Sequence, residues 1–312
     1  MKEKIRVALL AGGKSGEREV SLAGARGVEQ ALDREKYEVR RYDPATDLAR
    51  LAAEADGIDM AFILLHGPLG EDGTVQGMLD LLGIPYQGSG VLGSALAMDK
   101  NIAKLLYRNA GLTVCPWEMA RLEDIADPTR LLSALTLPVV VKPVRQGSSL
   151  GMSIVKEAAA LSAALAKAFA LDREVMVEQY VRGREITGGV IGNQELTALP
   201  LVEVIPGDGY DFFDYEAKYT QGASREVCPA ELSPEQTERA QQIALTAHRT
   251  LQLRGYSRTD MIVTGDGGIF VLETNTIPGM TPTSLLPQAA AAHGLSFAAL
   301  LDRLIALALE ER

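Results

Sequence analysis

The chain has little cysteine, few aromatic residues and no excess of positive charge. Two of its 312 residues are cysteines, Cys115 and Cys228, so neither a disulfide framework nor a Cys/His zinc spacing can be assembled. The histidines, His66, His248 and His293, are widely separated. Aromatic residues make up 5% of the chain, which leaves Ala, Leu and Val to fill most of the 47% hydrophobic fraction. A formal net charge of −10 argues against a general nucleic-acid or anionic-membrane surface, but not against a local basic pocket for phosphate. No run approaches the ~20 apolar residues of a membrane span. The start, Met1 to Gly13, has the look of a signal peptide, but its apolar run is short, and Lys14, Glu17, Arg18 and Glu19 follow at once. It reads better as a buried first strand. The expectation is a cytoplasmic protein that engages neither nucleic acid nor membrane.

A length of 312 residues predicts two or three domains of ~100–200 residues each. Residues 1–98 alternate strands (Ile5–Ala11, Val39–Tyr42, Met60–Leu65) with helices (Val20–Leu32, Val75–Leu82), the last with Asp72 or Thr74 placed to cap it. That rhythm predicts a parallel sheet with covered faces. After a boundary near Met98-Asp99-Lys100 come a helix over Asn101–Asn109 closed by Gly111, strands at Thr113–Met119, Pro138–Lys142, Gly151–Val155 and Glu174–Tyr180, and a helix over Ala158–Phe169. From Gly183 onward the pattern gives strands at Glu185–Ile191 and Leu196–Ile205, a polar, Tyr-rich loop over Asp208–Arg225, and helices over Pro234–Leu251 and Ser296–Leu309. The expected division is 1–98, 99–182 and 183–312.

Against this background one hairpin carries charge where a sheet normally buries apolar groups. Tyr256–Val263 and Ile269–Leu272 flank Thr264-Gly265-Asp266-Gly267-Gly268, two apolar runs around a Gly/Asp cluster. Alternation puts Arg258 and Asp260 on one face, and likewise Glu273 and Asn275. A turn centred near Asp266 sets Asp260 within about one residue of facing Glu273. Two carboxylates and an amide are hard oxygen donors, few in number, which suits Mg²⁺ that is also held by substrate phosphates. A solvated hairpin face is the alternative.

Three glycine-rich loops invite a nucleotide. Gly12-Gly13-Lys14-Ser15 ends like a Walker loop, but Ala8 stands where the earlier glycine is required. Gly88-Ser89-Gly90-Val91-Leu92-Gly93 matches G-x-G-x-x-G but does not follow the first strand of a βαβ unit, so it reads as a tight strand-to-helix connection. Lys142-Pro143-Val144-Arg145-Gln146-Gly147-Ser148-Ser149-Leu150-Gly151 is different. It lies between two apolar strands, as a lid would, and its N–H groups and hydroxyls can wrap phosphate oxygens beside the charge of Lys142. An ordinary hairpin loop with a snorkelling lysine is the alternative.

Several segments then occur in a telling order: Gly16-Glu17-Arg18-Glu19-Val20-Ser21, His66-Gly67 with Gly70-Glu71-Asp72-Gly73, Met98-Asp99-Lys100, Lys142-Pro143 with Gly147-Ser148-Ser149, Tyr215-Glu216-Ala217-Lys218-Tyr219, Arg258 with Asp260, and Glu273-Thr274-Asn275 with Pro278-Gly279-Met280-Thr281. Together they resemble the D-alanine–D-alanine ligases, which are ATP-grasp enzymes, over nearly the full chain. The departures are Pro68-Leu69 after His66-Gly67, and Gln146 before Gly147.

The resemblance implies an α/β protein, α+β in its ATP-binding part, with a three-domain ATP-grasp architecture and an N-terminal parallel-sheet domain. It implies that ATP phosphorylates one D-alanine carboxylate and that the amine of a second attacks the acylphosphate, giving D-alanyl-D-alanine, ADP and phosphate for the bacterial wall. Asp260, Glu273 and Asn275 would hold Mg²⁺, two ions in all, with Mn²⁺ able to substitute. Lys100, Lys142 and Lys218 would neutralise phosphates, and Gly147, Ser148 and Ser149 would cover them. Glu178 would meet the adenine amino group and Glu185 the ribose, with Gln179, Tyr180 and Val181 between them. Glu17 and His66 would meet the first D-alanine. Arg258 and the Gly279 N–H would face the oxyanion of the tetrahedral intermediate, and Ser284 and Leu285 the second carboxylate. Ser148, Tyr219 and Glu17 would link when the site closes. The resemblance further implies a homodimer. Three alternatives stay open: the same fold with D-lactate or another amino acid as second substrate, a non-catalytic nucleotide-binding relative, and a nicotinamide-dependent dehydrogenase resting on Gly88 to Gly93 alone.

Overall fold

The computed structural model describes residues 4–207 and 224–310. Tyr215 to Tyr219, and with them Lys218 and Tyr219, lie outside the described residues.

The first sheet is built from β1 (Ile5–Leu10), β2 (Tyr37–Tyr42) and β3 (Met60–Ile63), parallel in the order β2-β1-β3. Strand alternation sends β1 into two cores: Val7 and Leu9 into one, Ala8 and Leu10 into the other. In β3, Met60 and Phe62 join the first core, Ala61 and Ile63 the second. Helix α1 (Arg18–Ala31) buries Ser21, Gly24, Ala25 and Val28, the i, i+3, i+4, i+7 face expected of a covering helix. Three more helices follow: α2 (Leu48–Ala53), α3 (Thr74–Leu81) and α4 (Val91–Met98). The cap of α3 differs from expectation. Its N-cap is Gly73 in a left-handed conformation, and Asp72 instead accepts from Thr74 N at 3.0 Å and Leu69 N at 2.8 Å, fixing the turn before the helix. The Gly88–Gly93 segment is the tight connection expected, leading from Tyr86, which bridges to Ala61, into α4.

Helix α5 (Lys100–Asn109) opens with Asp99 as N-cap, accepting from Ile102 N at 3.0 Å. The second sheet runs β4 (Trp117–Ala120), β7 (Val175–Gln179), β5 (Val139–Pro143), β6 (Ser153–Val155), antiparallel throughout. Helices α6 (Thr129–Ala134) and α7 (Leu161–Phe169) accompany it, and Leu161, Leu165 and Ala168 of α7 fill its core. The stretch Thr113–Met119, expected as one strand, is divided. Thr113 and Val114 join Val271 of the third sheet, while Trp117 onward joins β7, and Pro116, with no N–H to give a ladder, stands between. This segment therefore bridges two sheets and carries Cys115 into the space between them.

Among the described residues the third sheet has six strands. The path is β11 (Ser224–Val227), β10 (Val202–Pro206), β8 (Arg184–Gly192), β12 (Gly255–Val263), β13 (Ile269–Asn275), with β9 (Thr197–Ala198) also on β8. The expected strand Leu196–Ile205 is thus two, because Pro200 interrupts the donors between them. Strand β11 lies partly where a loop was expected. Helix α8 (Pro234–Thr250) starts with a Ser233/Gln236 capping box and Pro234 at its first turn, and lays Ala240, Ala244 and Ala247 on this sheet. Two last helices, α9 (Leu285–Ala292) and α10 (Phe297–Leu309), return to the first sheet. Leu300, Leu301 and Leu304 of α10 share a core with Val7, Leu9 and Phe62, each contributing roughly 1.5–3 kcal/mol of burial. Among the described residues no single helix is long and apolar enough to cross a membrane.

Candidate active site

The second and third sheets face each other across a cleft. Its polar lining includes Lys100, Lys142, Ser149, Glu178, Glu185, Asp260 and Glu273, with Gln179, Tyr180 and Val181 along one edge. The apolar walls are Val140, Leu150, Met152, Ile154, Ile262 and Leu272. Sequence reasoning named the polar set and missed the walls. In the alternating pattern of a strand, Ile154 or Ile262 looks like any core residue.

The hairpin has the register expected. Asp260 pairs with Glu273 and Arg258 with Asn275, and a bulge between Asp260 and Met261 takes up the odd residue. Arg258 forks onto Asp260 with Nε–Oδ1 and Nη2–Oδ2 both at 2.7 Å. The Lys100 ammonium stands 3.4 Å from Glu273 Oε2 and donates to the Gln146 carbonyl in the lid at 2.8 Å. Burial works against the Arg258 charge, but Asp260 and then Glu273 outweigh it and hold the guanidinium above its ordinary value. Among the described residues no three His, Cys, Asp or Glu side chains gather into a metal cage. Two opposed carboxylates instead fit a Mg²⁺ that takes most ligands from elsewhere. Asn275 fits less directly: its Oδ1 already accepts from Ile277 N at 2.8 Å.

At the other end of the cleft Glu178 is clamped. Its Oε2 accepts from Lys142 Nζ at 2.6 Å and its Oε1 from Lys104. Burial pushes the Glu178 carboxyl up, but the two lysines pull it further down, so it stays ionised. Burial also opposes the Lys142 charge, and Glu178 and Glu273 more than offset it. The Gln179 side chain turns away from the cleft, exchanging hydrogen bonds with the Thr136 backbone at 3.0 and 2.6 Å, so it is a backbone edge that Gln179 presents.

The lid is closed onto the start of α1. Ser148 Oγ donates to Glu17 Oε1. Ser148 and Ser149 both take left-handed backbone angles (φ 47° and 57°), a costly conformation for non-glycine residues that surrounding contacts must maintain. A Cβ on Gly147 would sit 2.5 Å from Glu17 Oε2, so the lid approaches this closely only because that residue is glycine. Glu17 is the N-cap of α1 but makes no capping bond with its side chain, which favours a ligand role over a helix-start role.

Beside Glu17 lies a group the sequence reading left without a task. Glu71 is buried and accepts from Gly67 N at 2.6 Å. Burial, and then the Glu17 charge, push its carboxyl up to about 8. His66 is buried with it, and desolvation holds the imidazole below its ordinary value despite Glu17. The only signal for Glu71 was its place in the Gly70–Gly73 segment, because a buried carboxyl leaves no periodic trace. Gly279 and Ser284 also meet: a Cβ on Gly279 would lie 3.0 Å from Ser284 Oγ, which accepts from Thr281 N at 3.1 Å at the start of α9, where Leu285 is the first residue.

This pairing of an antiparallel α+β unit and a carboxylate-bearing sheet across a lysine-lined cleft, with a parallel sheet in front, is the architecture of an ATP-grasp enzyme. Solved structures share it. D-alanine–D-alanine ligase from Bacillus anthracis complexed with ATP superposes with a TM-score of 0.84 at 36% identity, covering 98% of this chain and 97% of that one. VanG D-Ala:D-Ser ligase from Enterococcus faecalis gives 0.83 at 33% identity, covering 98% and 100%. Two family profiles match, D-ala D-ala ligase N-terminus over residues 41–89 and D-ala D-ala ligase C-terminus over residues 106–306. D-alanine–D-alanine ligases from Syntrophobacter fumaroxidans and Desulfotalea psychrophila are 60% and 58% identical, each covering 99% of this chain, with 99% and 96% of the relative covered. The chain belongs to the D-alanine–D-alanine ligase family and is a ligase.

Proposed function

We propose that this enzyme joins two D-alanine molecules at the expense of ATP, in the cytoplasm, to supply D-alanyl-D-alanine for peptidoglycan. A carboxylate oxygen of the first D-alanine attacks the γ-phosphorus of ATP, the bond to ADP breaks, and an acylphosphate forms. The amine of the second D-alanine attacks the acyl carbon and loses a proton, and the carbon–oxygen bond breaks to release phosphate. Family membership supports the substrates, and the opposition of Asp260 and Glu273 beside Lys100 and Arg258 is the observation that carries the mechanism.

Phosphoryl transfer is mostly positioning and charge neutralisation. Lys100 and Lys142 neutralise phosphates, assisted by Lys218, and the Gly147–Ser149 backbone covers them. Bound Mg²⁺, two ions with Mn²⁺ as a substitute, would be held by Asp260, Glu273 and Asn275 and would neutralise phosphate charge. Glu178 and the Gln179–Val181 edge receive adenine, and Glu185 the ribose. Glu17 and neutral His66 hold the first D-alanine. Arg258 and the Gly279 N–H face the oxyanion, where one such donor is worth about 10²–10³ in rate. Ser284 and the start of α9 at Leu285 receive the second carboxylate. Ser148, with Tyr219, keeps the lid on Glu17 and excludes water from the acylphosphate. The units 1–98, 99–182 and 183–312 are proposed as the domains that close on the substrates, and the working form as a homodimer, which light scattering would test.

The reading predicts phosphate release from ATP and Mg²⁺ that requires D-alanine and is not supported by L-alanine. No D-alanine-dependent release would overturn it. The likeness to a D-Ala:D-Ser ligase favours one second reading, a different second substrate. D-Serine and D-lactate, each supplied with D-alanine, separate the two by the mass of the product.

A further inference from the structure

Helix α5 sets two lysines one turn apart, Lys100 and Lys104, about 6 Å along its axis. Lys100 lines the cleft, but Lys104 does not: its side chain is 0% exposed and lies behind Glu178. There its ammonium binds Glu178 Oε1 and stands 5.3 Å from the centre of the Trp117 ring. Trp117 faces Glu178 directly across the β4–β7 ladder, and its own Nε1 donates to Asn101 Oδ1 of α5 at 2.9 Å. Glu178 Oε2 is left to Lys142, and both of these groups line the cleft. Each oxygen of one carboxylate thus has its own lysine, one behind the cleft and one inside it.

Full burial of a lysine is costly and is seldom found without a partner. The arrangement resolves a conflict within the cleft. Lys142 paired with Glu178 alone would form a neutral couple with little attraction for a phosphate. Burial holds the Lys104 ammonium below its ordinary value, against the pull of Glu178. With its proton kept and the ammonium on the far oxygen, the three groups carry a net charge of +1 beside the cleft. We infer that Lys104 is a positioning residue for nucleotide binding, which neutralises Glu178 from behind so that the charge of Lys142 remains for a phosphate. The inference rests on the ATP site proposed above.

The test is a double-mutant cycle read by calorimetric Kd for ADP and for adenosine, using wild type, Lys104→Met, Glu178→Gln and the double variant. Lys104→Met is expected to weaken ADP by about tenfold or more and adenosine by less than about threefold. Adding Lys104→Met to Glu178→Gln is expected to cost less than about threefold, because the charge to be neutralised is gone. Equal losses for ADP and adenosine, or the same loss with and without Glu178, would mean that Lys104 only supports the fold. The double variant removes Lys104 and Glu178 together and leaves Lys142, which lines the cleft, as the one charge of the three. If Lys104→Met alone does not fold, a loss beyond about tenfold between Glu178→Gln and the double variant overturns the inference. A wild-type chain that binds no ADP overturns the nucleotide site itself, whereas wild-type binding with an indifferent Lys104→Met overturns only the role of Lys104.

Discussion

The two faces of the β12–β13 hairpin share one backbone and differ in how they satisfy polarity. The face toward the cleft carries Arg258, Asp260, Glu273 and Asn275. The opposite face carries Ser257, Thr259 and Thr274, all buried. There Thr259 and Thr274 hydroxyls meet at 3.0 Å, Tyr107 OH donates to Thr274 Oγ1 at 2.7 Å, and Ser257 Oγ pairs with His248 Nδ1 at 2.7 Å. Hydroxyls can be sealed under helices α5 and α8 because neutral hydrogen bonds among neighbours satisfy them. Carboxylates cannot be sealed so cheaply, and on their face they keep cationic partners, Arg258 and Lys100, and an opening. One face is built for stability and the other for charge that can be redistributed onto a ligand.

That division is open to test, beginning with the largest effect. Glu273→Ala is expected to lower kcat by about 10³-fold or more while moving the melting temperature little, since a half-open carboxylate is removed. A large loss of stability with kcat preserved would reverse the assignment of the faces. His248 gives the opposite signature. Burial, with the Arg249 charge adding to it, pushes its imidazole down to about 4, below the unfolded value near 6.5. The neutral, buried form therefore adds stability that is present above pH ~6.5 and is lost as pH falls through about 4, on the order of 3 kcal/mol in all. Melting curves across that window should fall more steeply for wild type than for His248→Gln, and parallel curves would refute the shift.

Ser148→Ala removes the lid's bond to Glu17 and should cost about 10–100-fold in kcat/KM for D-alanine, the worth of a hydrogen bond to a charged group. An unchanged kcat/KM would mean that the lid closes without it. The smallest effect belongs to the sealed face: Tyr107→Phe should cost about 1 kcal/mol in denaturant unfolding and leave turnover unchanged. A drop in turnover would show that the sealed face is coupled to the chemistry.

The charged face was legible in the sequence because period-2 alternation and a Gly/Asp turn bring Asp260 within about one residue of Glu273 by counting, and the bulge after Asp260 sets the pairing. The parallel first sheet was legible on another ground, the alternation of strands with helices and the near-continuous apolar runs of β1 and β3. The sealed face was not. Ser257, Thr259 and Thr274 fit any strand, and the groups that give them meaning lie elsewhere: Tyr107, 167 residues from Thr274, and His248, on the preceding helix, for Ser257. Lys104 and Glu71 were hidden likewise, since a buried charge is defined by distant partners rather than by its neighbours in the chain. Pro200 and Pro116 were legible as prolines, yet the strands around them were read through, because apolar runs on both sides masked the missing donors.

The central claim is that the D-alanine carboxylate is phosphorylated at the mouth of the charged face before the peptide bond forms. Turnover of D-alanine labelled with ¹⁸O in its carboxylate, with ATP and Mg²⁺, tests it by mass spectrometry of the phosphate released. The account predicts one ¹⁸O in each phosphate, carried over when the acylphosphate breaks. Unlabelled phosphate formed together with D-alanyl-D-alanine would contradict it.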